Sequence, residues 1–126
     1  MKNIVSFMHH CANCNGIVEV ERLRCSACGL VYEGRFAPAR LARLDPAQQH
    51  LVERIVLAAG NLKEVAGALE ISYPTLRKRL DGLILALREL RATDAARTAR
   101  LLDGVEAGTT TAEEAARLIR EMNGGA

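Results

Sequence analysis

Cysteine occurs at four positions only, and these form two pairs, Cys11-Ala-Asn-Cys14 and Cys25-Ser-Ala-Cys28, with ten residues between them. Two residues between thiols allow one tight turn to present both sulfurs to a single ion. Two such turns complete a tetrahedral S4 shell, the coordination zinc favours. Asn15-Gly16 follows the first pair and Gly29 the second, and both residue types accept the left-handed backbone of such turns. The spacing therefore predicts one structural zinc ion on Cys11, Cys14, Cys25 and Cys28. Four protein ligands leave no open coordination position, so zinc catalysis is not expected. The alternatives are a redox CxxC, an iron centre and no metal at all. A thioredoxin-like CxxC needs a surrounding βαβ unit, which the pattern lacks. His9 and His10 adjoin Cys11 and are read as bystanders, because the four thiols already satisfy the ion.

Around the cysteines the chain reads as two short strands. Ile17, Glu19 and Glu21 alternate with Val18, Val20 and Arg22 in the segment Gly16–Arg24, and Leu30–Glu33 follows the second pair; a period of two is the strand signature. Residues 9–36 thus resemble a zinc ribbon. The segment 1–36 is assigned to this module and 37–44, which has no strong period, to a linker.

Helical signals begin at Asp45. Asp45 as N-cap, Pro46 at the first helical position and Gln48 three residues on form a capping-box pattern. Leu51, Ile55 and Val56 make an apolar stripe, and Gly60 stops it. Asn61 caps a short helix over about Leu62–Leu69 with Val65, Ala66 and Leu69 inward; Glu70-Ile71-Ser72 makes a turn. Ser72 caps a third helix carrying Leu76, Leu80, Leu83, Ile84 and Leu87 at spacings of three and four. Two helices joined by a three-residue turn outline a helix-turn-helix. Gly60-Asn61, Ala66, Leu69, Ile71-Ser72, Thr75-Leu76 and Leu80 resemble the Fis-like and NtrC-type DNA-binding motif. Many of its members have Gly where this chain has Glu70.

In such motifs the second helix enters the major groove by its N-terminal residues. That places Tyr73, Thr75, Arg77, Lys78 and Arg79 at the DNA, with Lys63 on a phosphate. Arg77 and Lys78 reach phosphates or guanine edges, and Tyr73 and Thr75 reach phosphates or a thymine methyl. Arg79 either points to phosphate or lays its stem on the core. The competing reading is a solvated face of an amphipathic helix.

Beyond Leu90 the apolar rhythm fails at Asp94 and Arg97. Thr93-Asp94 reads as a break or a new cap, with a new helix over about Asp94–Ala107 ended by Gly108. Thr111-Ala-Glu-Glu114 then opens a last helix with Ala115, Leu118, Ile119 and Met122 on one side; Asn123-Gly-Gly ends it. Leu101–Ile119 resembles a SHOCT-like C-terminal helical hairpin. Helices this short do not bury their apolar faces alone, so 93–126 is expected to dock on the chain or on a second copy, giving a homodimer or higher oligomer. The helix-turn-helix unit is assigned to 45–92. Overall the fold expected is mainly α: an N-terminal zinc ribbon with a small β-hairpin, a central three-helix unit and a C-terminal helical hairpin.

The CxxC pairs together with Gly60–Glu64 and Ile71–Thr75 are similar to a bacterial family described only as a domain of unknown function, which implies a regulator without naming its target. Composition agrees. Aromatic residues are 3%, leaving few platforms for stacking single strands. The start, Met1–His10, makes a poor signal peptide, and no apolar run approaches a bilayer span of about 20 residues, so a soluble cytoplasmic protein without membrane contact is expected. No Ser/His/Asp set, phosphate loop or paired acids point to an enzyme. The expected function is a sequence-specific transcription regulator on double-stranded DNA. The alternative is an adaptor that docks on RNA polymerase or another protein through the ribbon and C-terminal hairpin.

The charge balance carries a test of the metal. The sequence has a formal charge of +2 and a pI near 8.5. Four thiolates and one divalent ion together contribute −2 relative to four neutral thiols, because the ion's own charge enters the sum. Zinc-loaded protein is expected to focus well below the pI of the sequence; a native value near 8.5 with zinc bound would refute the four-thiolate assignment.

Overall fold

The computed structural model describes residues 10–36 and 38–123. His9 and the glycines after Asn123 lie outside the described residues. The architecture is mainly helical, with a two-stranded antiparallel hairpin near the N-terminus.

In the hairpin, β1 (Val20–Arg24) pairs with β2 (Val31–Phe36), setting Arg22 opposite Glu33, Leu23 opposite Tyr32 and Arg24 opposite Val31. β1 starts later than the alternation from Gly16 predicts, because Ile17 is held in a separate bridge to His10 that closes the first cysteine turn. β2 extends past Glu33. A shift in register between Val20 and Arg22 brings Phe36 opposite Val20, the two-against-one geometry of a bulge.

The segment read as a linker contains a short helical turn among its described residues, 38–44. A 3-10 helix covers Arg40–Arg43, and Leu44 is 2% exposed in the core. Its lack of period has a simple cause: one short 3-10 turn shows no amphipathic repeat, and its anchors are ionic. Gln49 Nε2 donates to the Leu44 carbonyl at 2.8 Å and fastens this turn to the next helix.

α1 (Pro46–Leu57) opens with the capping box read from sequence. Gln48 N–H donates to Asp45 Oδ1 at 2.7 Å, and Asp45 N–H donates to Gln48 Oε1 at 3.2 Å. The helix ends where Gly60 N–H donates to the Ile55 carbonyl. α2 (Leu62–Ala68) is capped by Asn61, whose Oδ1 accepts from Glu64 N–H. Glu70, two residues past its end, has φ 54°, while Ile71 N–H reaches back to the Ala66 carbonyl at 3.1 Å. Glu70 therefore occupies the left-handed position that glycine fills most easily.

α3 (Tyr73–Glu106) is 34 residues long, about 51 Å at 1.5 Å per residue. It runs unbroken through Thr93 and Asp94, so the separate helix expected from Asp94 is the second half of α3. Thr93 does not cap; its hydroxyl donates to the Glu89 carbonyl within the helix. Asp94 does not cap either. Its carboxylate accepts from Arg40 Nε at 2.8 Å and from the Arg43 guanidinium. The side chains of Asp94 and Arg43 are 5% and 3% exposed. The polar residue that interrupts the apolar rhythm thus has its own partners, the buried Arg43 and the half-buried Arg40.

The core joins Leu44 and Leu51 to Val65 and Ala66 of α2 and to Leu76 and Leu83 of α3, with Ile71 plugging the turn. The last helix, α4 (Ala112–Met122), folds back on α3 and buries Ala115, Leu118 and Met122. Gly104 permits the tight return: a Cβ there would lie 2.9 Å from Thr110 Oγ1. Thr111 Oγ1 accepts from Glu114 N–H as expected, but the Glu114 carboxylate turns outward to Arg35. No described helix is long and apolar enough to cross a membrane.

Removing one partner of a buried ion pair costs about 3–5 kcal/mol. Asp94→Ala is expected to destabilise the protein by about 3 kcal/mol, read as a lowered urea midpoint. A shift no larger than that of a surface substitution would show that Arg40 and Arg43 do not hold α3.

Candidate nucleic-acid interface and cysteine loops

Each cysteine pair sits on a loop with the same hydrogen-bond pattern. In the first, Cys11 N–H donates to the Gly16 carbonyl and Asn15 N–H to the Cys11 carbonyl, at 2.8 and 2.9 Å. In the second, Cys25 N–H donates to Leu30 and Gly29 N–H to Cys25, at the same distances. Asn15 and Gly29, four residues after the leading cysteine, are both left-handed, with φ 58° and 78°. The second loop is also the turn of the β-hairpin. Backbone N–H groups approach the sulfurs: Asn13 N–H lies 3.4 Å from Cys11 Sγ and Cys28 N–H 3.5 Å from Cys25 Sγ.

These amides pull the thiol pKa of Cys11 and Cys25 below the ordinary value. At Cys11 the backbone of Cys14 and Asn13 dominates and the Cys14 thiol adds to it; Cys28 and Ala27 play the same parts at Cys25. Donors aimed at sulfur favour the thiolate, the form that ligates metals. The structure brings the cysteines together as two pairs. Among the described residues, no three His, Cys, Asp or Glu side chains converge on one point.

The residues expected at DNA are all solvent-exposed. Lys63 lies in the first turn of α2, and Tyr73, Thr75, Arg77, Lys78 and Arg79 occupy the first two turns of α3. Ser72 caps α3 by accepting from Thr75 N–H, and the Thr75 hydroxyl lies 2.8 Å from Ser72 Oγ. Thr75 is thereby drawn toward the cap. Arg77 Nε is 3.4 Å from Asp81 Oδ1, one turn along. Lys78 has no acidic partner among the described residues. Arg79 stands at the mouth of a cavity between α1 and α3, apart from Arg77. The cationic trio therefore divides into a paired arginine, a free lysine and an arginine beside the core.

The remainder of the chain docks elsewhere on α3. Glu19, just before β1, accepts from Arg97 Nη2 at 2.8 Å and from Arg35 Nε at 3.0 Å, and Arg35 Nη1 donates to Glu114 of α4 at 3.1 Å. This network joins the hairpin, α3 and α4. Sequence reasoning missed it. Its only mark is that Arg97, like Asp94, falls where the apolar rhythm of α3 fails. Lys78 and Asp94 are separated along the helix by about 24 Å.

Residues 44–89, which span the buried Leu44, α1, α2 and the first half of α3, match a family model described as "Domain of unknown function (DUF2089)-HTH". No curated protein and no solved structure matches the chain.

The ion-pair network titrates with a defined sign. Arg35 chiefly, and Arg97 with it, lower the Glu19 pKa against the opposing effect of burial. A depressed carboxyl pKa contributes stability above the unfolded value and loses it as pH falls through the folded one. Acidification below the ordinary glutamate range is expected to release the hairpin from α3 in the wild-type chain. In Glu19→Gln that pH dependence should vanish, as followed by amide shifts of β1 and β2. Equal titration in both proteins would place the acid-sensitive contact elsewhere.

Proposed function

We propose that the chain is a sequence-specific regulator of transcription on double-stranded DNA, in which α2, the Glu70–Ser72 turn and α3 act as a helix-turn-helix. One observation carries this reading: the first turns of α3 present exposed Tyr73, Arg77 and Lys78, about 24 Å along the helix from the side chains that dock the remainder of the chain. A helix entering the major groove needs its N-terminal turns free in this way. The match of residues 44–89 to a family model described as a helix-turn-helix domain of unknown function supports the same reading.

Lys78 supplies the first phosphate contact, and Lys63 supplies a second from α2. Arg77 exchanges Asp81 for a guanine edge or a phosphate on binding. Tyr73 packs against sugar or a thymine methyl. Asp81 disfavours non-specific contact, because an acid near the phosphates lowers affinity wherever Arg77 finds no better partner.

Cys11, Cys14, Cys25 and Cys28 hold one structural zinc ion, making the N-terminal hairpin a zinc ribbon. The matching loop geometry and the amides directed at sulfur support this assignment, and the ion supplies cross-linking rather than catalysis. A thiol site of this kind suits a reducing cytoplasm. A second copy of the chain is the proposed partner on DNA, supported by Leu85 and Leu102, exposed on α3. The adaptor reading is favoured by a different feature. Leu23 pairs across the hairpin with Tyr32 beside Leu30, and all three are about half exposed, an apolar face suited to RNA polymerase or another protein.

Affinity for genomic fragments is expected to fall steeply with salt. Lys78→Ala should reduce the salt slope by about 1, and Arg77→Ala, which loses a residue already paired, by less. No duplex binding at about 50 mM salt, or an unchanged slope in Lys78→Ala, would overturn the DNA reading in favour of the adaptor.

A further inference from the structure

A cavity of about 440 Å³ opens between the start of α1, the end of α2 and the early turns of α3. Its floor is formed by Leu51, Leu69 and Leu83. Gly82 stands in its wall, and a Cβ built there would meet nothing within 4 Å. Glycine inside a helix is destabilising relative to alanine. Here no neighbour forbids a side chain, so what the glycine provides is room.

Among the described residues, the mouth carries one available cation. Arg79 has no acidic partner among the described residues, whereas Arg77 pairs with Asp81. Asp45, also at the mouth, is occupied by Gln48 N–H at the N-terminus of α1. His50 turns to Arg54 and Glu53 of its own helix. An arginine without an acidic partner among the described residues, lining a cavity with a leucine floor, is complementary to a molecule with an apolar body and an anionic head.

We propose that this cavity binds a small amphipathic carboxylate, its apolar part against Leu51, Leu69 and Leu83 and its carboxylate on the Arg79 guanidinium. The volume lies within the range of about 300–1,000 Å³ usual for small-ligand sites, and guanidinium is the side chain best shaped for a carboxylate. Binding itself is independent of the DNA reading; its regulatory consequence rests on it. Arg79 follows Lys78 directly, so a ligand bridging α1 to Arg79 fixes the position of the proposed recognition turns.

The test titrates the full chain with octanoate and, in parallel, with octanol, following backbone amide shifts by NMR without DNA. Octanoate is expected to shift saturably the start of α1, the end of α2 and residues 79–83, and octanol to bind about tenfold more weakly. Arg79→Gln should erase that preference. Gly82→Leu fills the room while removing a helix glycine, so it is expected to melt no lower than wild type and to bind neither probe. Equal affinity for the two probes in wild type, undiminished binding in Gly82→Leu, or shifts centred on the hairpin leucines would overturn the proposal. Because binding is read without DNA, failure of the duplex assay is separately visible.

Discussion

Asp94 sits midway along a helix, out of water, with two guanidiniums closing on it from the 3-10 turn. A lone buried carboxylate would be costly, and so would a lone buried arginine. Asp94 and Arg43 are tolerated out of water because they arrive together, with Arg40 closing on the same carboxylate, and this constrains the approach of the chain from the β-hairpin. Leu44 follows directly and enters the core, and Gln49 fastens the carbonyls of the same turn. The direction of entry of α1 is therefore constrained by these two ionic contacts, and the apolar core of Leu44, Leu51, Val65, Leu76 and Leu83 places α2 against α3.

The second ionic cluster acts at the surface. Glu19, Arg35, Arg97 and Glu114 link the hairpin to α3 and α4 through side chains that are partly exposed. Exposed pairs contribute little individually. Their value here is geometric, because they orient the hairpin without burying it. The division of labour is clear: apolar packing and a buried acid hold the three-helix unit, whereas screened charges position the cysteine loops.

Much of this was readable from the sequence. The caps at Asp45, Asn61, Ser72 and Thr111 are local, each a side-chain oxygen within reach of an amide three residues on, and local rules found them. The core leucines followed from the 3.6-residue period. What failed was long-range. Thr93-Asp94 has the composition of a helix start, and nothing nearby in sequence reveals that Arg40 and Arg43 will claim the acid. Glu114 fits a capping box until Arg35 draws it away. The structured turn at Arg40–Arg43 is too short for any period. At the site, the cationic run Arg77-Lys78-Arg79 was visible, but its division depended on Asp81 one turn along and on a cavity assembled from three helices. The cysteine spacing was plain in the sequence, and the structure adds that both loops share one backbone pattern.

The unbroken course of α3 has a mechanical consequence. A rigid rod converts a small rotation at one end into a large sweep at the other: a tilt of about 10° around its C-terminal end displaces its start by about 9 Å, given a length of about 51 Å. A hinge at Thr93 would have absorbed such a rotation. Without one, any partner that leans on the cysteine-bearing end works through a lever arm, and the opposite tip moves by more than the spacing between neighbouring turns.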